Sequence, residues 1–384
     1  MAVKLGNGNW AVKEDKLLAY NDNSGLFFNK EFDFSRGSTA TYVDRDGLIA
    51  SAASGVPRID FTNDTKGHLL LEPQSTNLVT QSDGSNWLKS NVTYTANTTI
   101  SPDGSQNAAT LNFSDNNGIF RFITASGNPD GRSFTGSVYL KAGTMTDVRL
   151  RILGSGGGLG IVTKQITLTD EWQRFDVSQT FSGTGDNVRF RIQPNLQTGT
   201  VYFYGGQVEE LSYPTSLIYT TGATSTRNAD VCNNSGSAQD FNSEEGVLYW
   251  EAAALNDDVG STRILSISDG SGTNTLYTGY NSSSNVVQAQ LVVGGVAQTN
   301  MLHTVSDRTD FLKVAVLYQN NNHKMYINGV EVSVDTSGSV PSANTFDRLN
   351  FDLGQSSFDF YGKVRNVQVF TEALTDEQLE KLTS

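Results

Sequence analysis

Two long stretches of the chain alternate apolar and polar residues with a period of two. The first covers residues 80–211. Within it GSVYL (136–140), VRLRIL (148–153), VTKQITL (162–168), WQRFDV (172–177), VRFRI (188–192) and VYFYGGQV (201–208) read as strands, because successive side chains of a strand point to opposite faces. In VRFRI, Val188, Phe190 and Ile192 face one way and Arg189 and Arg191 the other. Short turn clusters separate the runs, as in a β-sandwich or jelly roll. The second stretch covers residues 232–384 and repeats the theme. Its strand runs are VLYWEAAA (247–254), RILSIS (263–268), VVQAQLVV (286–293), FLKVAVLY (311–318), KMYINGVEV (324–332), LNFDL (349–353) and KVRNVQVF (363–370). Asn328-Gly329 suits a two-residue hairpin turn. One helix signal follows: Thr375 and Gln378 make a T-x-x-Q capping box, with Leu374 and Leu379 at the staple positions and Leu382 on the same face.

The rest of the chain lacks a strong period. Residues 1–79 hold short apolar runs broken by turn residues, Asp46-Gly47 among them, and predict a small β-hairpin module for anchoring or assembly. Residues 212–231, SYPTSLIYTTGATSTRNADV, resemble neither long stretch. They predict an ordered, extended strap, packed along the first sandwich and setting the orientation of the second. The expected fold is all-β, with a small N-terminal β module, two β-sandwich (jelly-roll) domains and one short C-terminal helix.

Composition supports this picture. Hydrophobic residues make up 37% and aromatics 10%, enough for real cores, while charged residues reach only 17% and glycine numbers 37. The net charge of −13 opposes nucleic-acid and anionic-membrane partners. Cys232 is the single cysteine, so neither an internal disulfide nor a thiol zinc cluster can form. The N-terminal residues carry no apolar signal core and no run reaches membrane-spanning length. Synthesis in a cytoplasm without Sec export or membrane insertion is therefore expected.

No catalytic constellation stands out. His68, His303 and His323 are scattered and read as surface or turn residues. Glu209-Glu210 and Glu244-Glu245 are adjacent, so on strands they point to opposite faces, and they read as solvated edges. The Gly-rich run 154–160 fits no phosphate-loop spacing and reads as a hairpin loop. Asp44-Arg45-Asp46-Gly47 reads as a turn rather than a calcium loop.

Family resemblances enter at four places. FDFSRGSTATYVDRDGLI (32–49), with GHLLLEPQSTNLV (67–79), resembles an N-terminal module of bacteriophage tail, fibre and other virion proteins. SYPTSLIYTTGATSTRNADVC (212–232) resembles a segment of the same proteins, departing from their usual Thr-Ser-Tyr-Ile-Pro at Leu217, Ile218 and Tyr219. NWLKSNVTYTANTTISPDGSQNAATL (86–111) resembles the start of a carbohydrate-binding-module jelly roll. GVLYWEA, MYINGVEV and GKVRNVQVFTEALTDEQLEKL resemble the laminin-G/concanavalin-like lectin fold.

These resemblances imply a non-enzymatic virion protein, of tail-fibre, head-fibre or capsid-decoration type, that adheres to host-surface or environmental glycans. Its implied partners are other virion proteins and copies of itself, as a trimer by analogy with fibres and spikes. The alternatives are a purely structural virion protein and, more remotely, a polysaccharide-degrading enzyme. Sugar binding calls for exposed aromatic rings. Tyr277, Tyr280, Trp250 and Trp87 are the candidates, while Trp172 reads as core. No cofactor is called for, but lectin-like sandwiches often hold calcium in their loops, and Asn256, Asp257, Asp258 and Asp269 are the candidate ligands.

Overall fold

The runs identified by alternation form strands in the computed structural model, LNFDL only over Leu349 and Asn350. The structure describes residues 10–13, 15–22, 27–124, 127–155, 159–354 and 357–384. One short helix, Asp376–Thr383, completes an all-β chain. The chain forms two units: Ser38–Ser51 with Gln74–Asn228, and Met1–Gly37 with Ala52–Pro73 and Ala229–Ser384. They are called the first and second sandwich here.

The first sandwich has two five-stranded antiparallel sheets. One runs in the order Val92–Thr99, Ala108–Phe113, Gly199–Glu209, Ser133–Ala142, Gln173–Thr180. The other runs Ile161–Thr167, Asp147–Ser155, Asn187–Pro194, Ile119–Thr124, Leu88–Lys89. Alternation decides what lies between them: Val148, Leu150, Ile152, Val188, Phe190 and Ile192 are all fully buried. Gly136 is required by packing, since a Cβ there would lie 2.3 Å from the Phe190 ring. The Gly154–Gly160 run joins two strands, with Gly154 N–H donating to Gly160 O at 3.2 Å, while residues 156–158 lie outside the described residues.

The strap is bound to this sandwich by buried polar groups. Ser225–Arg227 pairs with Ser75–Asn77. Asn77, fully buried, donates to Ile218 O at 2.8 Å and accepts from the backbone N–H groups of Val79 and Val208. Gln207 accepts from Ile218 N–H at 2.6 Å. Glu209 corrects the solvated-edge reading, because it is fully buried and accepts from Ser75 Oγ, Gln207 Nε2 and Thr215 N–H. Those donors replace the water that a buried carboxylate loses. Its neighbour Glu210 does point outward, to Arg132.

The second sandwich has a seven-stranded and a five-stranded sheet. Leu248 and Trp250 belong to the core between them, while Val247 and Tyr249, on the opposite face, belong to a separate cluster with Leu379 of the helix. The helix begins as the sequence predicts: Thr375 accepts from Gln378 N–H, and Gln378 accepts from Thr375 N–H at 2.8 Å. A cap of this kind contributes about 1 kcal/mol.

The expected boundary at residue 79 is not the one the contacts make. Trp10–Lys13, Lys16–Asp22 and Phe27–Ser35 form a small meander, but Val231–Asn233 completes it as a fourth strand. Ile59–Asp60 and His68–Leu71 instead extend the seven-stranded sheet beside Gly362–Phe370. The hairpin of Ala40–Val43 lies in the first unit. Strands this short bury no face alone, so they are added to sheets built far away in sequence.

A buried ionic network holds the second sandwich's dispersed segments. Arg58 donates to Glu72 at 2.8 Å and to Asp230 at 2.5 Å. Arg36 donates to Asp230 at 3.1 Å and to the carbonyls of Ala53 and Val56. All four side chains are 3% exposed or less. Burial works against the Arg58 charge, but Glu72 and Asp230 outweigh it and raise its pKa. Asp230→Ala removes the carboxylate shared by two buried guanidiniums and leaves only Glu72 to Arg58. It is expected to destabilise the protein by about 3–5 kcal/mol, read from urea unfolding, and a loss below about 1 kcal/mol contradicts this role.

Candidate functional site

The structure sorts the sequence-derived candidates by burial. Trp250 is fully buried, with Nε1 donating to Thr278 Oγ1 at 3.2 Å. Tyr280 is fully buried too, its hydroxyl donating to Ala252 O. Trp87, 2% exposed, packs edge-on against Phe190 and Phe203. These three are core residues and present no ring to a sugar. Tyr277 is half-buried and its hydroxyl meets Gln290, its cross-strand partner. Trp172 was expected in the core. It is half-buried and donates to Ile100 O at 2.9 Å.

The candidate calcium ligands already have partners. The Asp257 carboxylate lies 2.7 Å from Arg308 Nε as an ion pair and accepts from Asn285 N–H at 2.9 Å. Asp258 pairs with Arg263, and Arg308 donates to its backbone carbonyl. Asp269 closes its own turn through Ser271 N–H and Asn274. Asn256 adjoins this rim, but among the described residues no cluster of three acidic, His or Cys side chains is arranged for a metal. The arginines take the oxygens that calcium would need. Two histidines are not surface residues either. His323 is fully buried, and His68, 1% exposed, lies 3.1 Å from Asp64. His303 is half-buried.

A concavity among the described residues lies in the first sandwich, where the strap passes the strand Gly199–Glu209. It is a cavity of about 390 Å³. Tyr204 comes from that strand and Tyr219 from the strap, and their rings stack at 5.4 Å and 29°. Asp103 and Asn107, from the turn before Ala108–Phe113, form a polar edge. The Tyr204 hydroxyl donates to Asp103 at 2.7 Å, and Asn107 Nδ2 donates to the same carboxylate at 2.9 Å. Asn107 Oδ1 is buried and accepts no hydrogen bond. Thr39 and Thr41, beside the hairpin, line the opposite side.

Electrostatics fix the protonation states. Burial alone would raise the Asp103 pKa, but donors from Ser101, Asn107, Tyr204 and Ser105 N–H hold it below the usual range. Burial and the Asp103 hydrogen bond push Tyr204 well above an ordinary phenol. The site thus offers an ionised acceptor, a free amide oxygen, hydroxyls and the half-buried Tyr219 ring, which is backed by Tyr204 at 4% exposure. Such a set is chemically suited to polyhydroxy compounds, whose C–H faces can meet a ring and whose hydroxyls seek fixed acceptors. Sequence reasoning missed all four principal residues. The available signal was Tyr219, which stands in the strap where the resembling proteins differ.

Residues 253–380 match the family model of the concanavalin A-like lectin/glucanases superfamily. This is the part of the chain expected to be laminin-G/concanavalin-like. No curated protein matches the chain in sequence. Among solved structures, it is similar to the CBM40 of a Ruminococcus gnavus IT-sialidase bound to α2,3-sialyllactose. That likeness has 15% identity and a TM-score of 0.33, covering 40% of this chain and 94% of that one. Domain 4 of AbnA, an extracellular GH43 arabinanase from Geobacillus stearothermophilus, has 13% identity and a TM-score of 0.32, with 41% and 73% covered. A heptameric SAP-like pentraxin from Limulus polyphemus has 13% identity and a TM-score of 0.30, with 37% and 71% covered.

The cavity has a spectroscopic marker. Burial, then the charges of Asp83 and Asp103, push Tyr219 up to about 12. The folded state therefore favours the neutral phenol. Its stabilising contribution is complete below the ordinary tyrosine value of 10.0 and is lost as pH rises through about 12. An alkaline absorbance titration is expected to lose one step near 12 in Tyr219→Phe. Loss of a step near 10.0 instead contradicts the described environment.

Proposed function

We propose that the chain is a non-enzymatic bacteriophage virion protein, of fibre or capsid-decoration type, that binds host-surface or environmental glycans. The observation that carries the glycan reading is the cavity of the first sandwich, with Tyr204 and Tyr219 stacked beside Asp103 and Asn107. Among its described lining residues Asp103 is the single carboxylate. Glycoside hydrolysis generally uses two, so retention of a sugar is the chemistry this arrangement supports. The lectin-type fold of residues 253–380 accords with that reading.

The virion reading rests on the resemblance of residues 32–49, 67–79 and 212–232 to phage particle proteins. Residues of those segments have scaffolding tasks here: Arg36 and Asp230 in the ionic network, Asn77 under the strap. Weak single-site contacts suit a particle with many copies, because repeated sites raise avidity without new contacts. Other virion proteins and a trimeric homo-oligomer are the partners this reading implies.

A glycan array and host cells test it with the full chain. Saturable binding is expected, weakened at least about fivefold in Tyr219→Ala and in Asn107→Ala, a loss of about 1 kcal/mol. Binding to neither target favours the purely structural alternative. Release of reducing ends from host polysaccharide would replace this reading with an enzymatic one.

A further inference from the structure

The outer face of the first sandwich's second sheet carries Arg149 and Arg151 on Asp147–Ser155 and Arg189 and Arg191 on Asn187–Pro194. Phe120 and Phe122 of Ile119–Thr124 share it. Register places them in rows: Phe120 is opposite Arg191, which is opposite Arg151, and Phe122 is opposite Arg189. Leu88, 50% exposed, extends the first row beyond Phe120. Four strands at a spacing of about 4.8 Å make a face roughly 14 Å wide.

None of these arginines pairs with a carboxylate among the described residues. Arg149 donates to Asn116 Oδ1 and Pro194 O, and Arg151 to Gln193 Oε1. Arg189 lies 4.2 Å over Phe122, and Arg191 lies 5.7 Å from the Phe120 ring centre. The Nε atoms of all four are buried without an acceptor. Asp147, on the same strand face, is occupied by Thr146, Thr167 and Gln197. Burial, then Arg151, Arg189 and Arg149, lower the Arg191 pKa. Directly opposed like charges destabilise a sheet, so Arg151 against Arg191 is a cost that the fold itself does not offset.

We propose that this face binds acidic glycans whose sugars carry carboxylates. Each guanidinium presents a planar fork that matches a carboxylate in two hydrogen bonds. Phe120, Phe122 and Leu88 supply an apolar platform beside the charges for the faces of the sugar rings. Carboxylates bound here neutralise the Arg151–Arg191 repulsion. The ligand is a glycan rather than a nucleic acid, because a polyphosphate chain longer than this face meets a protein with a net charge of −13. The site is separate from the tyrosine cavity and goes beyond that reading.

Full-length protein is titrated with short oligogalacturonates, which are uronate oligomers, and with short oligosialates, which are nonulosonate oligomers. Dextran serves as the neutral probe and a single-stranded DNA oligonucleotide as the competing class. Saturable binding to either acidic glycan is expected, with little to dextran and with weakening as salt rises. The double variant Arg151→Gln/Arg191→Gln is expected to bind roughly tenfold or more weakly. Its melting temperature should equal or exceed that of the parent, which separates lost binding from lost fold. Tyr219→Ala should retain acidic-glycan binding, so failure here and failure of the cavity reading are distinguishable. Binding to neither acidic oligomer, equal binding by the double variant, equal binding of dextran, or tighter binding of the oligonucleotide overturns the proposal.

Discussion

The second sandwich depends on charges that can be buried only together. Arg58 reaches Glu72 across 14 residues and Asp230 across 172, and Arg36 reaches Asp230 across 194. Each member, taken alone into the interior, would cost several kcal/mol. The charges are neutralised only when all these segments meet. Replacing such a network by well-packed apolar residues is often neutral for stability, whereas removing one member is costly. The network therefore acts as a condition on which segments come together, and an intermediate lacking one of them carries an unpaired buried charge. The chain leaves and re-enters this unit beside these residues, after Gly37 and Pro73 and before Ala229.

That condition explains which parts of the fold were legible in the sequence. Alternation is a local property, and Val188, Phe190 and Ile192 announced their shared face without reference to the rest of the chain. The capping box at Thr375 was equally local. Sheet membership was not. Nothing near Ile59 or His68 marks them as members of a sheet with a strand some 300 residues later, yet His68–Leu71 pairs with Gly362–Phe370 and Ile59–Asp60 pairs with His68–Leu71 at its edge. The domain boundary at residue 79 failed for this reason.

The site candidates failed for a related one. Alternation says which residues share a face but not whether that face is covered. Tyr249 and Trp250 point to opposite sides of one strand, yet both are buried, because the other sheet covers one side and the C-terminal helix the other. Trp87 and Tyr280 were offered as sugar platforms for their ring chemistry, which suits a core equally well once a hydroxyl or indole N–H finds an acceptor. The cavity residues Asp103, Asn107, Tyr204 and Tyr219 come from a turn, a strand and the strap, so no periodic pattern joins them.

Charge shows the same gap between a sum and a map. A net charge of −13 describes the whole chain. The potential at a surface is set by neighbours within a Debye length of about 8 Å at physiological salt. In the second sandwich Arg263 and Arg308 are matched by Asp257 and Asp258, so that rim is locally near neutral and its carboxylates are taken. On the first sandwich Arg149, Arg151, Arg189 and Arg191 meet, among the described residues, amides, carbonyls and phenyl rings but no carboxylate. Two sets of arginines in one acidic protein thus have opposite consequences. One holds loops in place, and the other leaves uncompensated positive charge beside an apolar strip. Excluding anionic partners from net charge alone holds for a long polyanion that samples the whole surface. It does not hold for a short one confined to this face.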